Sequence, residues 1–361
     1  MSWKGSNSGM ETKHWQIDGA TDLDQNPVIR EAAALLREGH LVAFPTETVY
    51  GLGADATDPD AVASIYRAKG RPSDNPLIVH LADEQGLSEW VREIPEPGRL
   101  LARRFWPGPL TLILPHRGNL APQVTAGLPT VGVRIPSHPV ALALLKNCGL
   151  PVAAPSANRS GKPSPTRAGH VWTDLGGRID AILDGGVTGV GVESTVVDVT
   201  VNPPVLLRPG GVTLEMLREV VREVRVDPGL REEWESPRSP GMKYRHYAPG
   251  GEMWVITGEG EAQVSRIQRM ADEAMQSGKK TGILCTEEHA SLYRADWIVV
   301  CGTRSRPDTI ARELYGALRR FDEVGAQWIA AEGFPPRGVL HSVMNRLSKA
   351  AEGRVIDSGR D

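Results

Sequence analysis

The sequence predicts an α/β protein of two domains, on three observations. Its 361 residues exceed what one core usually serves, roughly 100–200 residues. Short apolar runs alternate with helix-period stretches along both halves, the pattern of strands laid between helices. A charged, proline-containing and strand-poor stretch over residues 225–251 separates the halves. A hairpin-like pair of runs near residues 195–207 makes the first sheet mixed, and the simpler rhythm after residue 252 indicates a smaller parallel one. The expected organisation is a loose N-terminal tail over 1–20, a first domain over 21–224, a linker over 225–251 and a second domain over 252–361.

Taken in order, Asn26 caps a helix that accepts Pro27 in its first turn and stops at Gly39. A strand over residues 41–44 opens into residues 45–53, a loop rich in hydroxyls and glycine where backbone N–H groups could face a ligand. Asp58 and Pro59 start a second helix that runs to Ala68, with Val62, Ile65 and Tyr66 at core spacing. It delivers Lys69 and Arg71 at its C-terminal end, where the helix dipole disfavours anions, so these cations must supply the attraction themselves. Pro72 and Pro76 stiffen the loop that follows, and residues 77–80 read as a buried strand.

A helix near residues 97–105, a turn over 106–109 and a strand over 110–114 come next, with Trp106 as a turn anchor. The alternation over residues 130–136 is that of a strand with Thr130, Gly132 and Arg134 on one face. A helix from Ser137 and a short strand over 151–154 lead into a second polar loop over 155–166, built from hydroxyls, an amide, two cations and prolines. Strands over 180–184, 195–198 and 205–207 bring the hydroxyl pair of Ser194 and Thr195 and the cation of Arg208 to strand mouths, and a helix over 214–224 closes the domain.

The linker holds Lys243-Tyr244-Arg245-His246-Tyr247, a suitable cover for an anionic, aromatic ligand. Gly241 and Gly250-Gly251 flank it where hinges would be. Beyond it, strands over 253–257, 281–285, 297–300 and 327–330 alternate with helices over 261–276, 308–324 and 339–350. This half has no Walker loop and no GxGxxG, and His289 and His341 read as surface or capping residues.

Hydrophobic content of 40% and charged content of 24% are ordinary for a globular chain. A formal net charge of −3 exerts no global pull on nucleic acid or anionic membrane, so local cations must hold any anionic ligand, which favours a small-molecule site. Cys148, Cys285 and Cys301 are widely spaced and read as buried thiols. No run approaches the ~18 apolar residues of a membrane span. The polar start lacks a signal-peptide core, so a cytoplasmic protein is expected. The candidate site residues are cations, hydroxyls and amides without an activated nucleophile, HExxH or a cysteine–histidine pair. That set suits positioning and charge stabilisation at phosphorus, hence phosphoryl or nucleotidyl transfer.

Five stretches together resemble the Sua5/YrdC/YwlC family of L-threonylcarbamoyladenylate synthases in its two-domain Sua5 form. They are Phe44-Pro45-Thr46-Glu47-Thr48-Val49-Tyr50-Gly51-Leu52-Gly53, Lys69-Gly70-Arg71-Pro72 with Asn75-Pro76-Leu77, Ala154-Pro155-Ser156-Ala157-Asn158, Gly191-Val192-Glu193-Ser194-Thr195, and Pro240-Gly241-Met242-Lys243-Tyr244-Arg245-His246-Tyr247. Their order and spacing span nearly the whole chain, with no departure at the motif positions. The resemblance implies a YrdC-like twisted mixed-sheet domain followed by a smaller Rossmann-like Sua5 domain. It implies that L-threonine, bicarbonate and ATP become threonylcarbamoyl-AMP and pyrophosphate, for threonylcarbamoyladenosine beside the anticodon of tRNA.

Carried over by position, Thr48, His80, Arg134, Ala154 and Ser194 fall where the family holds threonine, with Arg134 the carboxylate partner. Arg71, Asn75, Thr130, Ser156, Ser164, Arg208 and Tyr247 fall where it holds ATP, and Lys69, Arg71, Ser156 and Asn158 form its basic-polar catalytic tetrad. Mg2+ is expected on the phosphates, and a downstream tRNA threonylcarbamoyl transferase as the consumer of the product. The segment from Lys243 to Tyr247 is expected to fold over the nucleotide. Two rivals are an RNA-binding module that takes tRNA directly, disfavoured by the net charge and by 5% aromatic content, and a carbamoyl-transfer domain like that of hydrogenase maturation factors. The second would need acylphosphatase and zinc-finger segments, which the sequence lacks.

Overall fold

The computed structural model describes residues 10–17, 22–230 and 247–359. The chain divides into two compact units, the first comprising Met1–Ser160, Ser164–Gly189 and Glu193–Lys243, the second Gly161–Pro163, Val190–Val192 and Tyr244–Asp361.

The first unit contains strands β1 Lys13–Gln16, β2 Val42–Phe44, β3 Gly51–Asp55, β4 Ile78–His80, β5 Leu110–Pro115, β6 Thr130–Arg134, β7 Val152–Ala153, β8 Ala181–Asp184, β9 Thr195–Asp198, β10 Val205–Arg208 and β11 Arg225–Val226. They form one sheet in the order β1-β8-β2-β3-β7-β4-β6-β5-β9-β10-β11. The sheet is mixed: β4 runs parallel to β6 and β5 to β9, whereas the β5–β6, β9–β10 and β2–β3 pairs are antiparallel. Helices α1 Pro27–Arg37, α2 Pro59–Lys69, α3 Leu87–Trp90, α4 Glu96–Phe105, α5 Pro122–Thr125, α6 Pro139–Cys148, α7 Ala168–Leu175 and α8 Leu214–Val220 pack on it.

Strand side chains alternate between two cores. Val42, Phe44, Val152, Ala181 and Leu183 pack with the apolar residues of α1 and α6. Their neighbours Ala43, Ala153 and Ile182 join Val79, Val131 and Val133 in the larger core under α2, α4 and α7. The helix ends obey local chemistry. Asn26 Oδ1 accepts from Val28 N at 2.9 Å and Asp58 Oδ1 from Asp60 N at 2.8 Å, each ahead of a proline in the first turn. Gly70 ends α2 at φ 63°, where a Cβ would be strained.

Three stretches differ from the sequence expectation. Residues 51–53, expected as loop, lie in β3 and pair with β2 through Phe44 and Gly51. The glycines there serve close packing, since a Cβ on Gly53 would stand 2.9 Å from both Phe44 Cε1 and Val152 Cγ1. Residues 13–16, expected in a tail, form β1 against β8, and Thr12 Oγ1 donates to Ile179 O at 2.6 Å. The helix expected to reach residue 224 ends at Val220, and Arg225–Val226, expected in the linker, pair with β10.

The second unit carries β12 Glu252–Thr257, β13 Thr281–Cys285, β14 Trp297–Val300, β15 Trp328–Glu332 and β16 Val355–Asp357, all parallel, in the order β14-β13-β15-β12-β16. Helices α9 Gly260–Gln276, α10 Pro307–Val324 and α11 Val339–Ala350 connect them. The edge strand β16 was not legible in the sequence. Glu332, at the end of β15, is 1% exposed and is satisfied by Thr286, His289, Tyr293 and Arg304. His289 is therefore a partner of a buried carboxylate and not a surface residue. Cys148, Cys285 and Cys301 are buried free thiols.

Candidate functional site

The site lies across neighbouring strands of the first unit. His80 and Arg134 end the parallel strands β4 and β6 and face each other in register. Because β5 runs antiparallel to β6, Thr111 near its start falls at the same end as Arg134, and Ser194 just ahead of β9 joins them. Thr111 Oγ1 and Ser194 Oγ are 2.8 Å apart, and Arg208 at the end of β10 donates to Ser194 O at 3.0 Å and Ser194 Oγ at 3.1 Å. Thr48, fully buried in the β2–β3 connection, accepts from Arg134 Nη1 at 2.9 Å. Ala154 follows β7, with its N–H on Ile78 O at 3.0 Å. Thr48, His80, Arg134 and Ser194, assigned to threonine, thus converge at one end of the sheet, whereas Ala154 stands two residues back, opposite Ile78 at the start of β4.

Arg134 is 4% exposed, and its guanidinium has three acceptors: Gly108 O for Nε at 3.3 Å, Thr48 for Nη1 and Glu47 Oε1 for Nη2 at 2.6 Å. A guanidinium carries five N–H groups, so two remain without an acceptor among the described residues. His80 is 3% exposed, its Nδ1 is 3.2 Å from Ile78 O and its ring meets Phe44 edge-on. Burial first, and then the Arg134 charge, push its imidazole down to about 3, so it is neutral at working pH.

Thr130 starts β6, opposite Pro115, at the far end from Arg134. The four-residue offset corresponds to about 13 Å of strand. Asn75 lies just ahead of β4, toward that same end, and is 2% exposed with neither amide atom hydrogen-bonded. Arg71 Nη2 donates to Asn75 O at 3.3 Å, and Gln123 Oε1 is buried without a partner. Arg71, Gln123, Tyr66, Ala63, Arg67, Gly70 and Ser73 line a cavity of about 330 Å³. Unpaired buried polar atoms beside a cavity are costly unless a ligand meets them. Burial raises the Tyr66 phenol to about 12, so it stays a donor, bonded to the carbonyls of Asn75 and Gln123 at 3.0 Å each.

Between the two ends, the loop after β7 is fastened to the end of α2. Lys69 is 2% exposed, and its ammonium donates to Asn158 O at 2.6 Å, to Asn158 Oδ1 at 3.4 Å and to Ser156 O. Ser156 Oγ donates to Asn158 Oδ1 at 2.5 Å, Ser160 N to Lys69 O at 2.9 Å and Arg159 Nη1 to Ala68 O at 2.9 Å. The catalytic tetrad of the sequence reading is thus three linked residues with Arg71 a short way along the same chain segment. Lys69 acts here as a buried charge that shapes the loop. Ser164 Oγ donates to Glu193 Oε1, and both are buried.

Arg208, assigned to ATP, stands with Ser194 at the Arg134 end rather than beside Thr130. Residues 243–246 lie outside the described residues. Tyr247 belongs to the second unit, 5% exposed at φ 64°, with its ring stacked on Tyr315 at 5.2 Å and the Arg346 guanidinium 5.7 Å from its centroid. Sequence reasoning missed Glu47, Thr111, Gln123 and Glu193 as site neighbours. Glu47 and Glu193 could have been found, since each directly precedes an assigned threonine or serine.

Among the described residues no helix is long and apolar enough to cross a membrane. Residues 34–210 match the Sua5_yciO_yrdC family model, described as telomere recombination, and residues 212–352 match that of the threonylcarbamoyl-AMP synthase C-terminal domain. The chain is 55% identical over 349 residues to the threonylcarbamoyl-AMP synthase of Bacillus subtilis (strain 168), covering 96% of this chain and 100% of that one. It is 49% identical to that of Pyrococcus abyssi (strain GE5 / Orsay), covering 91% and 95%. The crystal structure of P. abyssi Sua5 complexed with L-threonine has a TM-score of 0.89 at 46% identity, covering 97% of this chain and 99% of that one.

Proposed function

The chain belongs to the Sua5/YrdC family of threonylcarbamoyl-AMP synthases, and from that premise we propose that it joins L-threonine, bicarbonate and ATP into threonylcarbamoyl-AMP and pyrophosphate. The observation that carries this reading is Arg134, a buried guanidinium with two N–H groups to offer beside the hydroxyl of Thr48 and a neutral His80. Such a cation is built to receive a carboxylate. Thr48 and Ser194 supply hydroxyls for the side-chain hydroxyl of threonine.

The amino nitrogen, once neutral, attacks carbon dioxide derived from bicarbonate and gives a carbamate. A carbamate oxygen then attacks the α-phosphorus of ATP, a new P–O bond forms, and the bond to the β-phosphate breaks to release pyrophosphate. Asn75, Thr130 and the cavity beside Arg71 supply the nucleotide end, with unpaired amide atoms suited to a polar ligand. Arg71 and the Lys69 charge stabilise negative charge on the phosphate oxygens, and burial of the site keeps water from the carbamate.

Among the described residues no cluster of three or more His, Cys, Asp or Glu side chains could hold a metal ion. A magnesium ion would arrive with the nucleotide, and Ser164 and Glu193, hydrogen-bonded to each other, would be the hard oxygen donors the protein offers it. Bound there, the metal would add positive charge at the phosphate oxygens. The product is a mixed anhydride, which suits transfer to tRNA by a separate transferase. Incubation with threonine, bicarbonate and ATP labelled at the γ-phosphate tests the reading: pyrophosphate must form only when threonine is present.

A further inference from the structure

Glu47 has no role in the assignment above, yet it makes the shortest contact to Arg134. Its Oε1 accepts from Arg134 Nη2 at 2.6 Å, and its Oε2 accepts from the backbone N–H of Ser137 at 3.0 Å. The two side chains are 5% and 13% exposed. The other acceptors on the guanidinium are weaker anchors: one carbonyl at 3.3 Å and the Thr48 hydroxyl, which also hydrogen-bonds Thr46 Oγ1. Charge-assisted bonds to a carboxylate are the stronger kind and fix the plane of the fork.

We propose that Glu47 is a positioning residue for the amino-acid carboxylate: its own carboxylate, anchored by the Ser137 backbone N–H, fixes Arg134 so that the two remaining N–H groups meet the substrate. This rests on the reading that Arg134 receives that carboxylate. Glu47 also supplies the negative charge that a buried guanidinium needs when no substrate is bound. A site held this way discriminates by the carboxylate, because a ligand without one gains nothing from an oriented Arg134.

The test titrates the full-length protein with L-threonine and with L-threoninol, which keeps the amine and the hydroxyl-bearing side chain but has a hydroxymethyl in place of the carboxylate. Glu47→Ala is expected to raise the Kd for L-threonine about tenfold or more, leave that for L-threoninol within about twofold, and raise KM more than it lowers kcat. Glu47→Gln keeps an acceptor for Arg134 Nη2 but not the second bond to Ser137, so it should recover part of the loss. An unchanged Kd for L-threonine in a folded Glu47→Ala protein overturns the proposal, as does an equal loss for both ligands, which would mark a general scaffolding role. If Glu47→Ala does not fold, the selective loss must appear in Glu47→Gln, and its absence there overturns the proposal. Arg134→Gln separates the layers: if it leaves L-threonine binding unaltered, the placement of the carboxylate on Arg134 is what fails.

Discussion

Lys69→Met isolates the charge of Lys69 from its bulk. The methionine fills a similar volume, but the three acceptors around the ammonium, Ser156 O, Asn158 O and Asn158 Oδ1, lose their donor. A buried acceptor without a partner costs about 1–3 kcal/mol. Losing the donor at the two close carbonyls should therefore destabilise the first unit by about 2–6 kcal/mol. Removing one preorganised positive charge from a phosphoryl site lowers turnover by about 10²–10³-fold. The two effects separate by assay: denaturant melts read the first, and threonine-dependent pyrophosphate release under native conditions reads the second. Lys69→Arg should not rescue, because a planar fork is too wide for a slot that leaves lysine 2% exposed. Wild-type pyrophosphate release from folded Lys69→Met protein would refute the charge role, and an unchanged melt would refute the loop-shaping role.

Four further outcomes are expected. L-valine should be slower than L-threonine by about 10²-fold or more, whereas L-serine should stay within about tenfold, since hydroxyl-bonding sites reject analogues that lack the hydroxyl; comparable rates with valine would remove the hydroxyl-reading role of Thr48 and Ser194. His80 is held neutral in the fold and protonates more readily when unfolded, so its contribution is full above the ordinary histidine value and is lost as pH falls toward about 3. Between pH 7 and pH 5 that amounts to about 2 kcal/mol, and His80→Gln should flatten the decline in melts across this range. Gly53→Ala should cost about 1–3 kcal/mol in the same melts by overpacking, because its Cβ meets Phe44 and Val152 at 2.9 Å. Glu332→Ala, which strands Arg304 and His289 in the second unit, should cost about 3–5 kcal/mol in that unit's unfolding transition.

Local punctuation made the helices legible. Asn26 with Pro27, Asp58 with Pro59 and the left-handed Gly70 mark ends by chemistry confined to a few residues. The strands that escaped are those whose identity depends on a distant partner. Lys13–Gln16 carry no apolar run and become a strand only because β8 offers an edge. Gly51 and Gly53 look like loop residues until Phe44 and Val152 are seen against them. The same limit applies to the site. The motifs pointed to Arg134 and Thr48, but which groups orient Arg134 depends on how the β2–β3 connection folds over β6, so Glu47, though next to Thr48 in the chain, gains its partner only in the fold. Arg208 could be recognised as a strand-end cation, but not the end of the sheet it would serve.

The edge strand β1 sets the order in which this chain can be finished as it is made. Its partner β8 is Ala181–Asp184, and the Thr12–Ile179 hydrogen bond spans 167 positions. Strand β8 also sits between β1 and β2, so both edges wait for the same late segment. During synthesis the first strand emerges long before anything can pair with it, and the β2–β3 hairpin, which carries Glu47 and Thr48, keeps an open flank until residue 184 has left the ribosome. An unpaired edge of this kind invites pairing with other chains. The nascent first unit is therefore most exposed to misassociation during translation of the middle of its own sequence, and a fusion at the N-terminus places its bulk beside the strand that must wait longest.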